Sequence, residues 1–325
     1  MREITYAQAL NEALTEEMRK DPRVVCLGED IGFIGGNFGI TKGLQAEFGR
    51  DRVRDTPITE DAIVGLSLGA ALAGLRPVPE IMFSTFLSSC MEQILNQVAA
   101  IRYMSGGQCT IPLVIRTANS LGRSGAAQHS GRAEAWIMHT PGIKVVIPST
   151  PYDAKGLLKT AIRDSNPVIF FEHAMAYYSV KGPVPEEEYT IPFGVADVKR
   201  AGKDITIVAY SMMVKKAMEA ADILAKDGIE VEVVDPRTLV PLDMETIINS
   251  VKKTHRAIVA SEESETAGVC AEIGYRISRD AFDYLDMPVE RVATADVPVP
   301  FSPTLEKYMM AKTEDIVAAA KSLMG

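Results

Sequence analysis

Several patterns are scarce or missing in this 325-residue chain, and each absence excludes a class of protein. No uninterrupted run of 18 apolar residues occurs, which excludes a membrane-spanning helix. The first residues, MREITYAQALNEALTEEM, carry acids throughout and lack an apolar run, so they do not form a signal peptide. We therefore expect a soluble, cytoplasmic protein.

Cysteine is rare, and the four cysteines lie far apart in the sequence, at Cys26, Cys90, Cys109 and Cys270. They form no CxxC pair, and no histidine stands at the spacing of a zinc ligand. Disulfides and structural zinc are therefore not expected. Buried free thiols are the simpler interpretation.

Basic residues are also in the minority, with 34 Lys and Arg against 43 Asp and Glu. The net charge is −9, and no basic run is present that could neutralise a phosphate backbone or an anionic membrane surface. Nucleic acid and membranes are therefore not expected as partners.

The usual nucleotide-binding fingerprints are missing as well. No GxGxxG follows a strand, and no GxxxxGK[ST] occurs. The glycine-rich stretch GFIGGNFG at 32–39 indicates turns. The sequence therefore supports neither a dinucleotide site nor an ATP site.

The sequence does contain the alternating strand and helix segments of an α/β protein. The chain is long enough for two domains and is 47% hydrophobic. Short β-branched runs, typical of buried parallel strands, occur at 24–30, 111–116, 144–148, 167–172, 204–210, 230–235, 256–262 and 289–294. Segments with helical spacing lie between them, for example at 152–164, 213–228 and 244–254. We predict two doubly wound α/β domains. The proline- and glutamate-rich stretch 181–194 predicts their boundary, giving domains 1–187 and 188–325.

The segment DTPITEDAIVGLSLGAALAGLRPVPEIMF at 55–83 carries the strongest chemical signal. Thr59 is a natural N-cap, which places Glu60 in the first turn of a helix. Glu60 either complements the helix dipole or stands in a poorly hydrated cleft, where its protonated form would be favoured and it could share a proton with a ring nitrogen. The small residues Gly65, Gly69 and Ala73 offer a face for close helix packing.

Several stretches together resemble the β chain of the first component of 2-oxo acid dehydrogenase complexes, the pyruvate, branched-chain and acetoin dehydrogenases that depend on thiamine diphosphate. The matching stretches are DTPITE at 55–60, RPVPEIMF at 76–83, AAQHS at 126–130, PSTPYDAKGLL at 148–158, DPRTLVPLD at 235–243 and PVPFSP at 298–303. The similarity extends from Tyr6 to about Thr304. It implies a pyrimidine-type domain followed by a transketolase C-terminal-like domain.

The resemblance also implies site residues. Glu60 corresponds to the glutamate that bonds a nitrogen of the cofactor's aminopyrimidine and promotes loss of the thiazolium proton. Met82 and Phe86 correspond to the side chains that pack against the pyrimidine, with Ile58 on the neighbouring turn. His129 corresponds to a histidine that helps handle the acyl intermediate. Without the resemblance, the apolar residues would be assigned to the core and the histidine to a solvated or a core position.

A potassium ion is a further implication of the resemblance. The positions that match the family's ligands are Leu113, Ala161, Ile162, Asp164 and Asn166. Backbone oxygens leave little trace in a sequence, and RDSNP at 163–167 is equally consistent with a simple turn after a helix.

The GDG motif through which thiamine diphosphate enzymes hold the metal of the diphosphate is missing from this chain. A diphosphate needs a metal or a cluster of donors, so the chain supplies only half a cofactor site. The resemblance implies that an α chain holds the diphosphate and magnesium, in an α2β2 assembly. The α2β2 enzyme would decarboxylate a 2-oxo acid and pass the acyl group to a lipoyl-bearing acyltransferase, as in pyruvate dehydrogenase.

Two alternatives remain open at this stage: acetoin cleavage and a non-catalytic scaffold subunit. Segments resembling the acetoin and the pyruvate members are mixed along the chain. For the second domain, the acids Glu262, Glu263 and Glu265 are expected to offer a negative surface for docking the acyltransferase, although such a run is also typical of a plain solvated face.

Overall fold

The computed structural model describes all residues from Met1 to Gly325, and the chain forms two compact units. The first unit comprises residues 1–120 and 128–193, and the second comprises residues 121–127 and 194–325. The chain passes from one to the other after Phe193, within the stretch 181–194 but beyond residue 187, the boundary expected from the sequence. No sequence pattern indicated that residues 121–127 belong with the second unit.

The first unit is built on a parallel sheet. Its strands are β1 (Arg2–Thr5), β2 (Val24–Gly28), β3 (Val53–Asp55), β4 (Arg76–Ile81), β5 (Val114–Asn119), β6 (Lys144–Val146), β7 (Val168–His173) and β8 (Lys181–Val184). Strands β2 to β7 lie in the order β6-β7-β5-β4-β2-β3, and all neighbours in that series are parallel. Strands β1 and β8 form a separate antiparallel pair.

The central strands β5 and β7 are buried along their whole length, as their near-continuous apolar sequences predict. One boundary differs from the prediction. The strand expected over 111–116 begins only at Val114, because the N–H of Leu113 bonds the carbonyl oxygen of Ile111 (2.8 Å) in a tight turn.

The helices of this part of the chain are α1 (Tyr6–Lys20), α2 (Leu44–Phe48), α3 (Glu60–Leu72), α4 (Ile101–Met104), α5 (Ala126–Ser130), α6 (Glu134–Met138), α7 (Pro151–Arg163) and α8 (Ala176–Ser179). A 3₁₀ segment at Ser84–Cys90 and a π segment at Gln93–Val98 follow β4. Helix α7 begins where the sequence predicts: the hydroxyl of Thr150 accepts a hydrogen bond from the N–H of Asp153, and Pro151 occupies the first turn.

The second unit repeats the architecture. Its strands are β9 (Asp197–Arg200), β10 (Ile205–Ala209), β11 (Val231–Asp235), β12 (Thr238–Val240), β13 (Ala257–Ser264) and β14 (Glu290–Thr294). Five of them form a sheet in the order β14-β13-β10-β11-β9, parallel except for β9. The helices are α9 (Met212–Lys226), α10 (Met244–Thr254), α11 (Val269–Asp280), α12 (Pro303–Met309) and α13 (Thr313–Met324). Two doubly wound α/β domains are thus confirmed.

The expected acidic surface of the second unit is wrong for two of its three residues. Glu262 and Glu263 are each only 5% exposed. Glu263 accepts the N–H of Val269 at the start of α11 (2.7 Å), and Glu262 pairs with Lys216 (3.2 Å). Internal partners satisfy both charges, and only Glu265 faces solvent.

The thiol prediction is confirmed for Cys26, Cys90 and Cys270, which are free and buried, whereas Cys109 is free and partly exposed. Among the helices, none combines the length and the apolar character that a bilayer crossing requires.

Candidate active site

The candidate site lies at the point where the strand order of the first sheet reverses. From β2 the chain moves to β3 on one side and then to β4 on the other side of β2. In doubly wound sheets, ligands bind outside the carboxyl ends of the strands at such a point. Glu29 directly follows β2, and Met82 directly follows β4. Glu60 begins the helix between β3 and β4.

Glu60 is the first residue of α3 and is partly exposed. Its position in the first turn is as predicted, and the helix dipole favours a negative charge there. The N-cap prediction is only half right. Thr59 occupies the N-cap position, but its hydroxyl makes no capping bond; its backbone angles, φ −167° and ψ 79°, lie outside the extended region from which Thr150 caps α7.

The charge of Glu60 contributes to a raised pKa at two other groups, Glu29 and Cys90. Burial raises the pKa of Glu29, and the charges of Glu60, Asp30 and Glu80 raise it further. Burial also raises the pKa of the Cys90 thiol to about 12, with Glu60 and Asp61 contributing. Glu29 therefore holds a proton more readily than a free glutamate does.

An aromatic group stands after β4. Phe83 and Phe86 meet edge to face, with ring centroids 5.3 Å apart. The imidazole of His129 lies against both, at 5.1 Å from Phe83 and 5.4 Å from Phe86. The structure thus brings together two of the predicted residues, Phe86 and His129, on one apolar platform. Helix α3 packs against the same 3₁₀ segment that carries Phe86.

The other two predicted contact residues are placed less closely. Met82 is half-buried directly after β4, beside Phe83. Ile58 is 82% exposed. Neither makes a contact within the chain that marks it as functional, so their roles remain predictions.

A buried charged cluster lies among the strands β4, β5 and β7. Arg116 on β5 bonds Glu172 on β7 (2.6 and 2.8 Å) and Glu80 on β4 (2.8 Å). The hydroxyl of Tyr177 donates to Glu172 (2.6 Å). Burial raises the pKa of Glu172, against the opposing effect of Arg116. The cluster joins three neighbouring strands, and its Glu80 stands two residues before Met82.

The five candidate potassium residues lie near the start of β5 and the end of α7, and protein groups already contact them. Arg76 Nη1 donates to the carbonyl oxygens of Ile162 (2.8 Å) and Asp164 (3.0 Å). Lys144 and Asn166 bond the carboxylate of Asp164 and together hold its pKa below the usual value, although burial opposes them. The carbonyl oxygens of Leu113 and Ala161 accept from the N–H groups of Val168 (2.9 Å) and Asp164 (3.2 Å), respectively.

Sequence reasoning missed Glu29, Phe83 and Phe38. Phe38 lies edge to face with Phe83 (5.8 Å) and extends the aromatic group toward Tyr177 (5.1 Å). A signal for Glu29 was available, since an acid immediately after a buried parallel strand stands at the sheet edge where ligands bind. No pattern marked Phe38.

Comparison with known proteins defines the class first. Residues 2–179 match the family of the transketolase pyrimidine binding domain, and residues 194–316 match the transketolase C-terminal domain. A solved structure described as a split gene transketolase, inactive beta4 tetramer, shares 25% identity with a TM-score of 0.79 and covers 98% of both chains. The molecule is a transketolase-like protein.

Relatives of higher sequence identity show which family within this class the chain belongs to. The chain is 48% identical to the pyruvate dehydrogenase E1 component subunit beta of Bacillus subtilis, covering 100% of this chain and 99% of the relative. It is 45% identical to the 2-oxoisovalerate dehydrogenase subunit beta of that organism, covering 98% of each. It is 47% identical to an acetoin:2,6-dichlorophenolindophenol oxidoreductase subunit beta of Cupriavidus necator, covering 99% and 98%. The chain belongs to the family of β subunits of thiamine diphosphate-dependent 2-oxo acid dehydrogenases.

Proposed function

We propose that this chain is the β subunit of a pyruvate dehydrogenase-type enzyme that decarboxylates a 2-oxo acid and transfers the acyl group to a lipoyl-bearing acyltransferase. The observation that carries the proposal is the placement of Glu60 at the strand-order reversal, on a helix packed against the segment that holds Phe86 beside His129. When bound, thiamine diphosphate supplies the carbon nucleophile and the electron sink for cleavage beside a carbonyl.

The chain's own groups divide the remaining work. Glu60 holds or moves a proton at a nitrogen of the aminopyrimidine ring. Phe86 and Met82 pack against the ring face and exclude water. His129, resting on Phe83 and Phe86, presents an imidazole to the acyl group during its transfer.

The donor set fits the pyrimidine half of the cofactor and not its diphosphate. A carboxylate beside aromatic rings suits a flat heterocycle with a ring nitrogen. No group of three or more His, Cys, Asp or Glu side chains in the chain is arranged to hold a metal ion. We therefore place the diphosphate and its magnesium on the α subunit.

The surface of α3 supports the need for a partner. After Glu60 and Asp61 this helix is apolar apart from the buried Ser67, yet Ala62, Leu66, Gly69 and the C-cap residue Ala73 are uncovered along one side. A β-carbon built on Gly69 would meet no atom within 4 Å, so the face can accept a close neighbour, whereas Gly65 is covered by Gln93. We assign this face to contact with the α subunit in an α2β2 assembly. A related split-gene transketolase is itself described as inactive as a β4 tetramer.

A potassium ion at Leu113, Ala161, Ile162, Asp164 and Asn166 is a subsidiary part of the proposal. Carbonyl oxygens carry two lone pairs, so those that Arg76 contacts can also ligate an ion. The test is the thermal midpoint of the chain in KCl and in NaCl at equal ionic strength. A midpoint several degrees higher in KCl supports the ion, and equal midpoints indicate that Arg76 and Lys144 alone neutralise these oxygens.

Docking of the acyltransferase and a cytoplasmic location complete the proposal. The four free thiols support a reducing compartment. Because Glu262 and Glu263 are internally paired, we expect their neutral variants to leave acyltransferase binding unchanged.

The deciding experiment reconstitutes the chain with its α subunit and measures kcat/KM on pyruvate, a branched 2-oxo acid and acetoin. The highest value on pyruvate, with no activity of either subunit alone, supports the proposal. The highest value on acetoin would transfer the assignment to acetoin cleavage, for which a relative with 47% identity is the precedent. A stable α/β complex without activity on any of the three would indicate a scaffold subunit.

A further inference from the structure

The segment that carries His129 is held by side-chain hydroxyls at three of its backbone carbonyl oxygens. Thr85 donates to the carbonyl of Gln128 (2.6 Å), and Ser84 donates to that of Gly131 (2.8 Å). Ser120, directly after β5, donates to the carbonyl of His129 itself. Helix α5, which carries His129, has only five residues, so its own backbone bonds contribute little rigidity.

Two of these hydroxyls come from the same turn as the aromatic rings that His129 touches. Phe83, Ser84, Thr85 and Phe86 are consecutive, so one four-residue segment supplies both ring contacts and both backbone bonds. Ser84 is 1% exposed, which shields its bond from competing water. The hydroxyls fix the backbone on either side of His129, and the rings fix the plane of its imidazole.

The imidazole nitrogens make no hydrogen bond within the chain, and the ring lies against the two aromatic rings of Phe83 and Phe86. A histidine held in this way keeps both nitrogens available for a substrate. The position of those nitrogens then depends on the backbone of residues 128–131. Loss of a hydroxyl bond would let the segment shift without removing any group that touches the substrate.

We propose that Ser84 and Thr85 are positioning residues for His129, holding its backbone so that the imidazole stays between Phe83 and Phe86 in the orientation that acyl transfer requires. The role of Ser84 and Thr85 in acyl transfer rests on the proposed function, whereas their effect on the position of the His129 imidazole does not. The chain offers matched controls on the same turn. The hydroxyls of Ser88 and Ser89 bond the carbonyls of Thr85 and Phe86, one helical turn back, and do not reach the His129 segment.

The first test observes His129 directly and needs no activity. The chain has four histidines, so the full chain labelled with ¹³C-histidine gives four imidazole signals, and His129→Gln identifies the one shifted by its aromatic neighbours. We expect Thr85→Val and the double variant with Ser84→Ala to move that signal toward the value of free histidine. Thr85→Ser and Ser88→Ala should leave it in place. Unchanged signals from the other three histidines verify the fold. An unmoved His129 signal in the double variant would overturn the proposal.

The second test uses the reconstituted α/β enzyme with the lipoyl acceptor. A displacement of about 1 Å at a catalytic group can cost up to about 100-fold in rate. We expect Thr85→Val to lower kcat by about 10-fold with KM for the 2-oxo acid unchanged, and Thr85→Ser to restore it. A moved His129 signal with unchanged kcat would refute the role in transfer. An inactive wild-type enzyme would count against the proposed function and leave the first test decisive.

Discussion

Arg116 and Glu172 form a two-bond ion pair of 2.6 and 2.8 Å in which both side chains are 2% exposed or less. They stand on the adjacent central strands β5 and β7, and Glu80 on β4 completes the cluster. Removal of one partner from a buried pair leaves an uncompensated charge. This cluster supports the strand ends that present the candidate site.

We therefore expect Arg116→Met to lower the free energy of unfolding of the first unit by about 3–5 kcal/mol. Trp136, the single tryptophan, lies in this unit, so its fluorescence during urea unfolding reports the effect. The control is Arg19→Met, which breaks an exposed, solvent-screened pair with Glu47 and should leave the free energy of unfolding nearly unchanged. Equal losses of unfolding free energy in the two variants would contradict the proposed role of the cluster in supporting the strand ends.

The raised pKa of Glu29 predicts that the stability of the folded chain depends on pH. Its folded-state pKa is raised, by burial and by Glu60, Asp30 and Glu80, so the folded chain binds its proton more tightly than the unfolded chain does. The associated stability is present below the unfolded pKa and is lost as pH rises through the folded pKa. Glu29→Gln should therefore melt higher than the wild type at pH 7, and this difference should shrink toward pH 4. Thermal melts across pH 4–8 measure it, with the exposed Asp51→Asn as control.

The burial of the cysteines predicts which thiols react with a disulfide reagent. Burial raises the pKa of Cys26, Cys90 and Cys270 to about 12 each, so their thiolates are scarce and enclosed. Cys109 is partly exposed. A disulfide reagent at pH 8 should modify one thiol per native chain quickly, and Cys109→Ser should abolish that phase. Reaction of four thiols at one rate in the native chain would show that the buried assignment is wrong.

Much of the fold was predictable, because buried parallel strands and amphipathic helices leave periodic signals. The expected segments at 24–30 and 244–254 match β2 and α10 closely. The environment of Glu262 and Glu263 was not predictable. An acidic run has the same appearance in a sequence whether it meets water or, as here, Lys216 from a distant helix and the N-terminus of the helix that begins six residues after Glu263.

In the site, too, features set by neighbouring residues were predictable from the sequence, whereas contacts between distant segments were not. The position of Glu60 in a first turn followed from local sequence, and its assigned chemistry followed from a family resemblance. The contact of His129 with Phe83 and Phe86 depends on how a loop after β5 folds over a turn after β4. Residues more than 40 positions apart carry no local signal of such a contact.

Proton handling by Glu60 is the central claim, and a pair of variants in adjacent positions tests it most directly. Glu60→Gln and Asp61→Asn each remove one negative charge from the first turn of α3. In the reconstituted α/β enzyme with saturating thiamine diphosphate and pyruvate, we expect Glu60→Gln to lower kcat by at least about 100-fold, while Asp61→Asn stays within about twofold and both variants assemble with the α subunit. Wild-type kcat in an assembled Glu60→Gln enzyme would contradict the account.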